Sequence, residues 1–266
     1  MTRDRLTLAI LAAALAAPAA ARAGETACWF EGGVVVVPAQ VAGISGDYIL
    51  DTGSARTQLH ETKAQAEGID APTVTEISGG VRLAGVEIAS GPVAVADLDY
   101  RGWNLPTPIL GVVGADVLKD FVVDVSFAPC RVRLSRPGEA PAFRATRALP
   151  LAWDQGRPVV QAEVADGQRL LKGPFTPATG EPAAVRLADD LATVAGTDRP
   201  QELQPTGVWL ARLPELGLAG AGLRDQAAGL EPAKGEAAGT IGGPVLSRYR
   251  LRFDFPAGKL LLALPR

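Results

Sequence analysis

The segment Asp51-Thr52-Gly53-Ser54, directly after the apolar run Tyr48-Ile49-Leu50, carries the residue types with the most chemistry to offer. A carboxylate on a tight loop at the end of a buried strand can be held by backbone N–H donors, and Gly53 lets the backbone approach it closely. Held in that way, it can exchange a proton with a bound water or a polar ligand. Thr52 adds a hydroxyl that can be buried, and Ser54 lies within reach of the outer oxygen of Asp51. Little else competes. One histidine, His60, and two cysteines, Cys28 and Cys130, are too few for zinc sites built from several Cys and His ligands. The Gly-x-Ser-x-Gly turn of a serine nucleophile is absent, so His60 reads as a surface residue on a short helix. Gly217 to Gly222 fails the Gly-x-Gly-x-x-Gly spacing of a phosphate loop and reads as a loop. No metal and no cofactor are expected.

The elements that must position Asp51 are strands. Val34 to Val37, Asp47 to Leu50, Phe121 to Phe127, Pro158 to Val164 and Tyr249 to Phe255 show apolar runs or period-2 alternation. Ala42-Gly43, Ala128-Pro129-Cys130 and Pro256-Ala257-Gly258 supply turns. Helical patterning is confined to short stretches near His60–Glu67, Ala115–Lys119 and Ala188–Val194. With 30 Gly and 21 Pro, the chain reads as all-β and loop-rich. It also repeats once. GVVGADVLKDFVVDVSFAPCRVRL from Gly111 and GTIGGPVLSRYRLRFDFPAGKLLL from Gly239 align without a gap, pairing Gly114 with Gly242, Leu118 with Leu246 and Phe127 with Phe255. The Pro- and Gly-rich stretch after Arg136 reads as the connection between two similar units.

A chain of 266 residues with 47% hydrophobic and 21% charged residues has enough apolar surface for a real core. The net charge of −3 and the absence of basic runs set nucleic-acid binding aside. Arg3 and Arg5, the apolar stretch Leu6 to Ala20 and Ala21-Arg22-Ala23 have the order of a secretory signal peptide, cut after Ala23 and too short to span a bilayer. The expected organisation is a signal peptide over 1–23, a first lobe over 24–136, a linker over 137–148 and a second lobe over 149–266. After cleavage no membrane segment remains, and the destination is a bacterial periplasm or the extracellular space. There, Cys28 and Cys130 most simply pair with each other, with two free buried thiols as the alternative.

Asp51-Thr52-Gly53 after its apolar strand, together with Ile109-Leu110-Gly111 and the Gly114 to Leu118 segment downstream, resembles the pepsin-like and retropepsin-like aspartic peptidases. The resemblance covers about Val34 to Leu134. It implies an acid-protease fold of two similar β-barrel-like lobes with a cleft between them, and a polypeptide substrate or peptide ligand. It implies Asp51 as the catalytic carboxylate in a loop completed by Thr52, Gly53 and Ser54, with Thr52 bonded across to the other lobe. It also implies a flap hairpin over the cleft, whose tip is expected at Gly79-Gly80. In the family two such carboxylates share one proton, one activating water while the other donates to the substrate carbonyl.

The second lobe departs from that pattern. The repeat places the matching loop at Ala178-Thr179-Gly180, where alanine stands for the second aspartate. The leading expectation is an aspartic endopeptidase acting through Asp51, with its second acid from a homodimer or from Asp116 or Asp124. The alternative is a catalytically inactive relative that binds extended peptides. Trp103, Trp153 and Trp209 are candidates to line the cleft, with core packing as their other reading.

Overall fold

The computed structural model describes residues 24–165, 170–188, 201–204 and 208–265. The expected signal peptide and the helical pattern after Ala188 lie outside them. Two halves are built alike. In the first, the strand Val34–Val41 pairs with Ile44–Leu50, which runs parallel to Gly111–Val113. The order continues through Gln58–His60, Val86–Ala96 and Glu76–Leu83, and the last returns to Val34–Val41 to close a barrel. In the second, Arg157–Ala165 pairs with Leu170–Pro177, which runs parallel to Gly239–Ile241. Val185–Ala188, Ala221–Glu231 and Val208–Leu218 follow, and the last closes back on Arg157–Ala165.

Both barrels need a glycine at the same place, because two strands approach where a side chain would stand. A Cβ on Gly111 would lie 2.1 Å from the Gln58 carbonyl oxygen, and one on Gly239 would lie 2.0 Å from that of Arg186. These glycines head the two repeated segments, so the repeat in the sequence is the repeat of the crossing that holds the central loops. Each is followed by one turn of helix, Ala115–Leu118 and Gly243–Leu246.

A third sheet joins the halves. Its six strands run in the order Gly24–Ala27, Cys130–Ser135, Val122–Phe127, Arg250–Asp254, Lys259–Ala263, Arg147–Pro150. The two central strands are the repeat equivalents of each other and pair antiparallel, with Asp124 opposite Arg252. One face is apolar, and Val123, Val125, Val132, Leu134, Leu251 and Phe253 are buried there. Cys28 and Cys130 are disulfide-bonded, 102 residues apart in the chain. The bridge ties the edge strand to the hairpin of the first half. Among the described residues no helix is long and apolar enough to cross a membrane.

Candidate functional site

Asp51 and Ala178 occupy equivalent positions at the ends of the two parallel-paired strands. The Asp51 N–H donates to the Val113 carbonyl at 3.0 Å, and the Ala178 N–H to that of Ile241 at 2.9 Å. The loops that follow lock into each other. Thr52 Oγ1 donates to the Pro177 carbonyl at 2.7 Å, and Thr179 Oγ1 to the Leu50 carbonyl at 2.6 Å. The Thr52 N–H donates to Thr179 Oγ1, and the Thr179 N–H to Thr52 Oγ1, each at 3.2 Å. All four groups are buried, so each bond has its full value and its loss would leave an unpaired dipole. The buried cross-lobe role expected for Thr52 is filled, and Thr179 is its counterpart.

The approach of the loops leaves no room for side chains. A Cβ on Gly53 would sit 2.4 Å from the Ala178 Cβ, and one on Gly180 2.5 Å from the Asp51 Cβ. Asp51 as a whole residue is 3% exposed. Its Oδ1 accepts from the Gly53 N–H at 2.8 Å and the Gly180 N–H at 3.3 Å. Its Oδ2 accepts from Arg101 at 2.5 Å, in an ion pair whose side chains are 17% (Arg101) and 4% (Asp51) exposed. Ser54, expected on the outer oxygen of Asp51, turns away and donates to the Arg56 carbonyl at 2.9 Å. Arg101 holds that oxygen instead.

Arg101 lies on a single helical turn, Asp99–Gly102, in the segment between the strands Val86–Ala96 and Gly111–Val113. Three contacts fix the turn. Leu98 is buried beneath it, Asp97 Oδ1 accepts from the Asp99 N–H at 2.9 Å, and His60 Nε2 lies 2.9 Å from Asp99 Oδ1. His60, expected at the surface, is therefore buried, because it anchors the element that carries Arg101. Among the described residues His60, Asp97 and Asp99 form the only trio close enough to share a metal ion. His60 Nε2 and Asp99 Oδ1 already pair, and Asp97 Oδ1 accepts from the Asp99 N–H. Burial alone would push the Arg101 guanidinium down, but the Asp51 carboxylate beside it outweighs burial and its value is raised. Tyr100 and Glu181 add in the same direction.

The acids expected to replace the missing aspartate are committed elsewhere. Asp116 accepts from the Thr57 N–H at 2.9 Å and from Thr57 Oγ1 at 2.8 Å, fastening the helical turn to the loop after Asp51. Asp124 receives both forks of Arg252, at 2.6 and 2.7 Å, in the interlobe sheet. Glu181, which the sequence did not single out, does line the Asp51 pocket. It is held by the Ala183 N–H at 2.9 Å and by Arg186 Nε at 2.7 Å.

The pocket over Asp51 has a volume of about 340 Å³, and Tyr100, Arg101, Gln155, Arg157 and Glu181 are among its walls. None of its lining residues comes from the hairpin Glu76–Leu83/Val86–Ala96. The turn of that hairpin is Ala84-Gly85, and its tip rests on Gly24 at the edge of the interlobe sheet. Gly79 and Gly80, expected at a flap tip, lie within the strand. A Cβ on Gly79 would sit 2.4 Å from that of Ala42, and the Gly80 carbonyl accepts from the Ala42 N–H at 2.9 Å. Gly79 and Gly80 serve strand packing on the barrel wall. Trp103 is half-exposed beside His60 in a neighbouring pocket, Trp153 packs on Phe255, and the side chain of Trp209 lies outside the described residues.

No protein-family model matches the sequence, and no curated protein matches it. Among solved structures the chain is similar to an aspartic proteinase from Irpex lacteus, with a TM-score of 0.54 at 13% identity, over 91% of this chain and 97% of that one. The likeness establishes the fold: two closed barrels in the pepsin-like, two-lobed arrangement.

Proposed function

We infer that the protein binds extended polypeptide in the cleft between its lobes and does not hydrolyse it. The observation that carries this reading is the pairing of Asp51 with Arg101 opposite Ala178. Hydrolysis by acid-base activation of water needs one group to take a proton and a second to give one. Among the described residues, every group hydrogen-bonded to the Asp51 carboxylate is a donor. Arg101 keeps its proton at any ordinary pH, and Ala178 offers neither acid nor base. A homodimer would not supply the second aspartate, because the Ala178 loop already fills the place where another Asp51 loop would dock, through the Thr52 and Thr179 bonds. The disulfide and the fold support an exported protein working in an oxidising compartment.

The pocket walls suit backbone recognition. Gln58 and Gln155 offer amides that can donate and accept, and Tyr100, 60% exposed, offers an aromatic face. One observation favours a hydrolytic reading: Asp51 lines the pocket and keeps the Gly53 and Gly180 backbone donors on its Oδ1. That reading needs Arg101 to swing away and Glu181 to leave Arg186.

Fluorescence anisotropy of a labelled, unfolded polypeptide of about 15 residues tests the proposal. Saturable binding, with the peptide recovered intact and affinity at least threefold weaker in Tyr100→Ala, is expected. No saturation at the highest protein concentration, or recovery of fragments that Asp51→Asn does not produce, would overturn it.

A further inference from the structure

The solvent face of the interlobe sheet is charged, and its charges fall in two rows. The first crosses four strands with alternating sign: Glu25 opposes Arg133, Arg133 opposes Asp124, and Asp124 opposes Arg252. Arg133 pairs with Glu25, and Arg252 closes a bidentate pair with Asp124. That row answers its own charges. The next row along the strands is different. Arg131 opposes Ser126, and Arg250, two residues before Arg252, comes up on the other side of Ser126. No acid stands in this row.

These residues line a groove of about 270 Å³. Among the described residues its only acids are Glu25 and Asp124, both taken by the first row. Phe143, from the connection between the lobes, covers one end, with its ring centroid 5.3 Å from the Arg250 guanidinium carbon and 4.9 Å from that of Arg252. Such stacking fixes the plane of a guanidinium and leaves its edge free to donate. Arg250 Nε is buried and has no hydrogen-bond partner among the described residues. A buried N–H on a cation with nothing to accept from it is costly, and a negative charge brought into the groove beside that cation would offset part of the cost.

We propose that this groove is an oxyanion site, in which Arg131 and Arg250 hold a small ligand of the phosphate or sulfate class over Ser126. Two guanidiniums with no ion-pair partner among the described residues match a dianion. Their planar forks suit the tetrahedral oxygens of phosphate and sulfate. The groove lies on the sheet face turned away from the buried core and shares no lining residue with the Asp51 pocket. Its occupancy therefore does not depend on what the cleft does.

The test is thermal unfolding of the full mature protein in inorganic phosphate, sodium sulfate and sodium chloride at matched ionic strength and pH 7. At tenfold excess over its dissociation constant, phosphate or sulfate raises Tm by about 3 °C relative to chloride. Arg131→Gln, at an exposed position, and Arg131→Gln/Arg250→Gln should keep the Tm in chloride within about 1 °C of the parent and abolish the phosphate increment. Arg56→Gln, whose ion pair with Glu76 is remote from the groove, should keep the increment. Equal Tm in phosphate, sulfate and chloride, or an increment that survives in both groove variants, would overturn the proposal.

Discussion

Replacing Arg101 by methionine leaves Asp51 buried with its Oδ2 unanswered. The two side chains are 17% and 4% exposed, so solvent cannot take over the role of the guanidinium. Removing one member of a buried pair costs about 3 to 5 kcal/mol, most of it from the charge left behind. Asp51 Oδ1 keeps its Gly53 and Gly180 donors, which places this case at the low end, about 3 kcal/mol. For a chain of this size that lowers Tm by about 6 to 12 °C. Asp51→Asn strands the cation instead, for which Glu181 gives partial compensation, and costs about 2 kcal/mol. The double variant removes both charges, so its loss should fall short of the summed single losses by at least about 2 kcal/mol. Urea unfolding of the four proteins followed by tryptophan fluorescence measures the cycle. Single losses that add within about 0.5 kcal/mol would refute the pairing as the organising contact of the site.

Three further outcomes follow from the frame that holds the site. Thr179→Val strips the donor from the Leu50 carbonyl and the acceptor from the Thr52 N–H, so it should destabilise by about 2 to 4 kcal/mol in the same assay. Cys28→Ser/Cys130→Ser opens a link spanning 102 residues and should cost up to about 4 to 5 kcal/mol, read as a lower urea midpoint for the variant and for the reduced parent. Tyr48 has its hydroxyl buried on the Ile44 carbonyl, and burial pushes its ionisation above the ordinary range of about 10, with the Glu67 charge adding to a shift that a backbone hydrogen bond only partly offsets. Because the folded value is raised, its stabilising contribution is whole below the unfolded value and falls as pH rises beyond about 10. Ultraviolet titration should show Tyr48 ionising only with unfolding, and Tyr48→Phe should flatten the alkaline decline in stability.

The sequence displays the parts of the site that the fold repeats, because the repeat has steric causes. Gly111 and Gly239 recur because a Cβ would strike the neighbouring strand, and Thr52 and Thr179 recur because each caps a carbonyl of the other lobe. From these the two-lobed fold, the Asp51 loop and its altered partner at Ala178 were readable. Arg101 was not. It stands 50 residues from Asp51, on one helical turn in an irregular segment, and nothing local in Asp99-Tyr100-Arg101-Gly102 reports where its side chain ends. Gly79-Gly80, as a pair of glycines, has the composition of a hairpin tip. The hairpin instead turns at Ala84-Gly85, both at positive φ, as do Ala42-Gly43 and Ala219-Gly220 in two further two-residue turns. The signal for that turn was present in the recurrent Ala-Gly between apolar residues, although alanine is an unusual choice where φ is positive. The burial of His60 is equally invisible locally, because its partner, Asp99, is distant in sequence.

The most direct test of the account is a mass-spectrometric search for cleavage when a mixture of unfolded proteins is incubated with the protein, at intervals from pH 3 to pH 7, beside its Asp51→Asn variant. With Asp51 tied to Arg101 and faced by Ala178, the two should yield the same peptide profile at every pH, with no new termini above the protein-free control. New termini produced by the parent and absent with the variant would contradict the account, and would show that Asp51 works as a catalytic carboxylate.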